Sequence, residues 1–289
     1  MKDRFTYLLL VALLSTVIVS CQQDLPDTGF KVGDLETESG SVVTLKSGRT
    51  DGVISLSIDA PALDRLGVWI DLDGDGKRAE DGTENVTLFN AYQDYTLVPG
   101  VSEIAIYGDI TYLAAAGNEL TSIDVSGSSY LTTLNVPMNN LTAVNVSQNT
   151  MLQRLDVSDN GISALIVSAN TELVSLWCFN NQLAALDVAA NSSLEYLDCS
   201  GNQLANLDIS TNTQLSRLLV YNNQLIALDI SKNPVLNRLW AFGNPLGDTE
   251  AENIVSALRS ATNGDLWLTE EPLGQILQAS AIEKGWEVQ

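Results

Sequence analysis

The chain repeats itself every 21 residues, and that period decides most of what it can fold into. Leu131, Leu152, Leu173, Leu194, Leu215 and Leu236 form one ladder, and Leu134, Leu155, Leu176, Leu197, Leu218 and Leu239 the next. Leu141, Ile162, Leu183, Leu204, Leu225 and Leu246 continue it, followed by Val144, Leu165, Leu186, Leu207 and Leu228, then Val146, Val167, Val188, Ile209 and Ile230. Six full units and a partial seventh fit between Ile110 and about Leu246. A single coil of this length cannot recover its backbone entropy from its own few aliphatic side chains, whereas stacked coils share one continuous core. The period therefore demands a solenoid.

Each unit reads L-x-x-L-x-V-x-x-N-x-L-x-x-L-D-V-S-x-N-x-x, which resembles the nested 21-residue leucine-rich repeats of bacterial, internalin-like proteins. The resemblance implies a mainly β repeat solenoid used for binding. Alternation around both L-x-V halves predicts two short parallel strands per coil, about 4.8 Å from those of the next coil. Two asparagine ladders mark the corners: Asn118, Asn139, Asn160, Asn181, Asn202, Asn223 and Asn244, then Asn149, Asn170, Asn191, Asn212 and Asn233. Inward amides at a bend can satisfy backbone groups that the bend leaves unpaired, so these ladders read as structural. Cys178 and Cys199 stand where Val136 and Val157 stand in earlier coils and are expected to be buried. A bridge between them stays open at this point, although parallel Cβ directions suit a disulfide poorly.

If Leu134 and Val136 point inward, positions 133, 135 and 137 and their repeats point outward. That first-half face includes Arg154, Trp177, Phe179, Tyr196, Arg217, Leu219, Tyr221, Arg238, Trp240 and Phe242. The second-half face is monotonous and small, built from residues such as Asp187, Ala189, Asp208, Ser210, Asp229 and Ser231. Repeats hold structural positions to one residue type and leave functional positions free to vary. Trp, Tyr and Arg carry most interface energy, so the varied side is the expected ligand face. Two other readings stay open: a surface covered by the chain's own C-terminal segment or by a second copy, and a surface without a role.

The N-terminus supplies a cellular address. Lys2 and Arg4 precede an uncharged apolar run, Phe5 to Ser20, too short to cross a bilayer as a helix and placed like the core of a signal segment. Its ending, Ile18-Val19-Ser20-Cys21, resembles the lipobox of bacterial lipoproteins. That resemblance implies a signal segment over residues 1–21, lipidation of Cys21 and a membrane anchor of more than one acyl chain. Gln22, where such proteins carry Asp for inner-membrane retention, implies an outer-membrane lipoprotein, expected to be surface-exposed. Residues 22–40 are polar and acidic and read as a tether.

Residues 41–109 alternate apolar and polar in short runs and predict a small β domain that shields the open edge of the first coil. Within it lies Asp71-Leu72-Asp73-Gly74-Asp75-Gly76-Lys77, with Glu84 further on. Asp71, Asp73 and Asp75 at alternate positions and a backbone carbonyl from Lys77 suit an oxygen cage for a structural Ca²⁺ ion. The usual closing carboxylate of an EF-hand is replaced by Gly82, so this is not an ordinary EF-hand. The stretch from Val68 resembles the W-I-D-x-N-x-D-G loops of secreted bacterial β domains, and in that resemblance Glu84 closes the cage. A solvated Asp/Gly turn is the alternative. Residues 110–246 form the solenoid and residues 247–289 an α/β C-terminal cap. In that cap Thr249-Glu250-Ala251-Glu252 reads as a capping box, Leu266-Trp267-Leu268 as a strand and Pro272 to about Lys284 as a helix with Leu273, Ile276 and Leu277 inward.

Composition narrows the function. The 289 residues contain no histidine, which removes His-dependent nucleophile systems and the HExxH zinc site. A net charge of −22 opposes binding to a phosphate backbone, so nucleic acid is excluded as a partner. No phosphate-binding loop or nucleophile elbow is present, and an enzyme is not expected. The expected function is binding of another protein by an envelope lipoprotein. The alternatives are capture of a glycan stacked on Trp177, Tyr221 and Trp240, and an architectural envelope protein without a soluble ligand.

Overall fold

The computed structural model describes residues 41–269 and 273–289, which belong to one compact unit. The signal segment, the expected lipidation site Cys21, the tether and Pro272 lie outside the described residues.

Two sheets organise the chain. The larger has eleven strands, and its centre is the repeat. Each coil contributes one three-residue strand: β8 (Thr133–Asn135), β9 (Arg154–Asp156), β10 (Ser175–Trp177), β11 (Tyr196–Asp198), β12 (Arg217–Leu219) and β13 (Arg238–Trp240). Neighbours pair in parallel with each residue opposite its equivalent 21 positions later, as in Leu134↔Leu155 and Leu155↔Leu176. The middle residue of every strand is a fully buried leucine. A one-residue slip would turn this leucine column to solvent, so the register is strongly specified.

The second strand expected in each coil is not formed. After β6 (Tyr112–Ala114), the first coil does carry one, β7 (Leu120–Asp124), because the N-terminal strand β1 (Val42–Ser47) pairs with it antiparallel. In later coils the second half forms no strand ladder. There the side chain of Asn or Asp accepts from the amide two residues on: Asn145 from Ser147 at 3.1 Å, Asp187 from Ala189 at 2.9 Å and Asp208 from Ser210 at 2.9 Å. A local side-chain acceptor has replaced the inter-strand carbonyl for that amide.

Both ends are closed by other segments. At the N-terminal end β2 (Val53–Asp59) pairs antiparallel with β6 and with β4 (Tyr92–Thr96), and β6 joins β8 in parallel. β3 (Trp69–Asp71), β5 (Glu103–Tyr107), β1 and β7 form the second, four-stranded sheet. At the C-terminal end β14 (Gly264–Trp267) and β15 (Trp286–Val288) extend the large sheet in parallel.

Two helices complete this end, Asp248–Ala257 and Gln275–Glu283. The expected capping box does not form: Gly247 is the N-cap, Thr249 lies inside the helix, and Glu250 reaches across to accept the Leu228 amide of the last coil at 2.8 Å. A tertiary amide left open by the end of the array has taken the carboxylate that a local cap would have used. In the second helix Leu277 and Ala281, four residues apart, face the core, while Ile276, expected inward, is 85% exposed.

The first asparagine ladder behaves as corner scaffolding. Asn181 accepts the Ile162 amide at 2.9 Å and its NH₂ donates to the carbonyls of Val157, Cys178 and Phe179 at 3.0–3.2 Å. The second ladder is used on one side. Asn191 donates to Val167 and Asn170 carbonyls at 3.0 and 2.8 Å, while the Oδ1 atoms of Asn149, Asn170, Asn191, Asn212 and Asn233 are buried without a protein partner. Cys178 and Cys199 are buried free thiols, not a bridge, and burial pushes both up from the ordinary thiol range.

Candidate functional site

Parallel in-register pairing stacks the outward residues of the strands into columns, and the C-terminal part of this strand face is a row of rings. Tyr221 lies flat against Phe242, 4.7 Å between centroids at 5°, and 6.3 Å from Trp240. Phe242 stacks on Trp267 at 4.0 Å, and Trp267 meets Trp240 edge-on at 6.1 Å. Tyr221, Trp240, Phe242 and Trp267 are all half-buried, so each shares one side with its neighbours and keeps another in solvent. Offset and edge-on contacts add about 0.5–1.5 kcal/mol per pair beyond area burial. The rings therefore support one another in a continuous row.

Arg238 fixes its edge. Its Nε bonds Asp265 Oδ2 at 2.9 Å, and its guanidinium carbon sits 5.4 Å from the Trp240 ring centre. Arg217 is exposed beside it. Leu219, expected in the exposed cluster, is only 7% accessible, because it pairs across the sheet with the larger Trp240, beside which its short side chain sits low in the face. Trp267 was not expected in the face. Asp265-Leu266-Trp267 repeats the Arg238-Leu239-Trp240 pattern, but 27 residues on instead of 21, so the fixed spacing hides it.

Toward the N-terminal end the same face hollows out. A cavity of about 470 Å³ is lined by Asn90, Tyr112, Thr133, Leu134, Asn135, Arg154, Asp156 and Trp177. Trp177 leans on Tyr196 at 5.0 Å, and Phe179, half-buried, stands two residues further along the same coil. Asp156 and Asp198 flank Trp177 in successive strands. Each carboxylate accepts from the amide and hydroxyl of the serine two residues on, at 2.6–3.1 Å. Burial nevertheless dominates and raises both above the ordinary carboxylate range.

The acidic loop is a separate place. Asp71, Asp73 and Glu84 offer carboxylate oxygens within 4.8 Å of one another, with Asp71 and Glu84 buried and Asp73 exposed. Asp75, expected as a ligand, is outside that group and instead accepts the Lys77 amide at 2.7 Å. Asp71 accepts the amides of Gly74 and Gly76 at 2.6 and 2.9 Å, and Glu84 those of Leu72 and Ala79 at 2.8 Å each. Gly74 and Gly76 have φ of 77° and 73°, a backbone turn that favours glycine and brings those amides round to Asp71.

Comparison with known proteins bears on the fold. A leucine-rich-repeat family model matches residues 148–169. A search of curated proteins finds no match. Among solved structures, an internalin, InlF, from Listeria monocytogenes is 23% identical over 59% of this chain and 51% of its own, with a TM-score of 0.50. The functional domain of InlJ from Listeria monocytogenes, which includes a cysteine ladder, is 33% identical over 47% of this chain and 35% of its own, with a TM-score of 0.44. A leucine-rich-repeat protein of Leptospira interrogans is 30% identical over 46% and 37%, with a TM-score of 0.45. This chain thus spans about a third to a half of the length of these three structures. No described helix is long and apolar enough to cross a membrane. In fold, the chain is a mainly β leucine-rich-repeat solenoid like that of the internalins.

Proposed function

We propose that this protein is a bacterial envelope lipoprotein, anchored to the outer membrane through Cys21, that binds another protein through its strand face. The internalin-like fold is of a kind that serves protein interaction. The observation that carries the reading is the preformed row of half-exposed rings, Tyr221, Trp240, Phe242 and Trp267, edged by Arg217 and Arg238. Aromatic and arginine anchors that are already immobilised lose little entropy on binding. The test is a capture screen of proteins and glycans with residues 24–289 beside a folded Trp177→Ser/Tyr221→Ser/Trp240→Ser variant. Protein capture by the native chain that disappears in the variant supports the reading. Capture unchanged by the substitutions removes the ring face from it, and capture of an oligosaccharide alone replaces the partner class. Anchoring is checked by radiolabelled palmitate incorporation, which Cys21→Ser must abolish.

We further propose that the loop from Asp71 to Glu84 holds a structural Ca²⁺ ion through Asp71, Asp73 and Glu84. Two buried carboxylates in one loop, with no described cation in an ion pair with either, support it. The residues fit an oxygen-ligating hard cation, whose charge would offset theirs. Millimolar Ca²⁺ should raise the melting temperature, and this gain should vanish in Asp71→Asn/Glu84→Gln. An unchanged melting temperature in the native chain rejects the ion.

A further inference from the structure

The hollow at the N-terminal end of the strand face has a different chemistry from the ring row. Its walls are rings, Trp177 and Tyr112, and two hydrogen-bond acceptors stand among them. The Asn135 Oδ1 atom is buried and has no partner. Asp156 uses one oxygen on Ser158, and no described donor reaches the other. Asp198 repeats this arrangement with Ser200 on the far side of Trp177. Asn135, Asp156, Trp177 and Asp198 are consecutive partners across four parallel strands, so the acceptors lie in one column with the indole between them.

Neither carboxylate is in an ion pair with a described cation. Arg154 lines the hollow and is exposed, and Arg217 and Arg238 lie in later coils, Arg238 already engaged by Asp265. A desolvated charge left without a counter-ion is costly, and a cation entering from outside would remove that cost. An indole face adds attraction for a cation within about 6 Å. A neutral polyol could donate hydrogen bonds here but would leave the charge uncompensated. The volume suits a single side chain and its stem rather than a folded segment.

We infer that this hollow receives one lysine or arginine side chain of the protein partner, its cationic head on Trp177 beside Asp156, with the buried charge of Asp198 behind the indole adding to the attraction. This rests on the protein-binding reading above and names the chemistry of that partner. The basic side chain sets the register of the partner along the array, while the ring row at the other end supplies apolar contact.

The test uses the full chain in mild detergent with 5-fluorotryptophan at its five tryptophans, read by fluorine NMR. The Trp177 resonance is identified by its loss in Trp177→Phe. N-acetyl-lysine amide and N-acetyl-arginine amide should shift it saturably, with dissociation constants of about 1–10 mM, the range expected of such small fragments. N-acetyl-norleucine amide and methyl glucoside should not. Asp156→Asn and Asp198→Asn should each weaken the basic probes by about fivefold or more, and unchanged signals from the other four tryptophans certify folding. Rising NaCl should weaken the native chain's response, a readout independent of either variant. No response to basic probes, an equal response to the neutral ones, or undiminished binding in both Asp→Asn variants overturns the inference. Protein capture that depends on the rings, with no Trp177 response, overturns this inference alone. Protein capture indifferent to the rings overturns the parent reading.

Discussion

Phe242 lies on Trp267 with 4.0 Å between ring centres, joining the last canonical coil to a strand that the repeat period does not count. The contact makes the cap part of the ring face. It also ties Trp267, whose Nε1 donates to the Thr269 carbonyl at 3.0 Å, to the stability of the array's end. Trp267→Ala should lower the free energy of unfolding by about 2–4 kcal/mol, somewhat under the range for a fully buried tryptophan because the ring is half-buried. Urea unfolding gives the number. Partner affinity should fall in the same variant, since Phe242 and Trp240 lose their support.

Asn181 satisfies one amide and three carbonyls at a single corner. Removing it leaves buried backbone groups without partners, which outweighs the small volume change. Asn181→Ala should cost about 2–4 kcal/mol, whereas the neighbouring exposed Gln182→Ala should stay within about 0.5 kcal/mol. Equal effects in equilibrium unfolding would remove the corner role.

Gly201 has φ of 61°, and a β-carbon there would run into Oδ1 of Asn180, one coil earlier, and lie 3.3 Å from its backbone nitrogen. Asn180 is held in place by donating to Asp159 at 2.8 Å. Gly201→Ala should destabilise by about 1–3 kcal/mol. Asn180→Gly should recover part of that loss in the double variant. A double-mutant cycle with no coupling between the two would show that the side-chain clash is absent.

Asp156 and Asp198 titrate above the ordinary carboxylate value of 3.8 because they are desolvated, with a smaller upward push from Asp159 on Asp156 and from Asp156 on Asp198. A carboxyl raised in the folded state binds its proton more tightly there than in the unfolded chain. Stability should therefore fall as pH rises from the ordinary carboxylate range through the raised values, and these two groups oppose folding at neutral pH. Exposed carboxylates that are lowered, such as Asp51 and Asp208, act in the opposite sense but are common to the native chain and its variants. Asp198→Asn should be at least as stable as the native chain at pH 7, with the difference closing below pH 3.8. A variant less stable at pH 7 than at pH 3, relative to the native chain, would contradict this sign.

The thiols of Cys178 and Cys199 are fully buried, and that burial keeps them protonated at neutral pH. Only the thiolate reacts quickly. Both should resist Ellman's reagent in the native protein and react at once in denaturant. Rapid native labelling would mean that the coils open locally at this place.

The period of 21, the buried leucine columns, the corner asparagines and most of the outward residues of the strand face were legible in the sequence, because each is a repeated local constraint. A column of identical residues can only be a shared environment, and variation beside it marks the free face. What the repeat could not express was decided by tertiary contact. Whether a second strand forms depends on a partner: β7 has β1, and most later coils turn an amide to their own Asn or Asp side chain. Glu250 abandons a local cap for the Leu228 amide, Leu219 sits low beside the larger Trp240, and Trp267 enters the face at a broken spacing. Periodicity specifies what every coil must bury. Only the folded ends and the neighbours in space determine which of the remaining polar groups and rings find one another, since those contacts join residues that no fixed spacing relates.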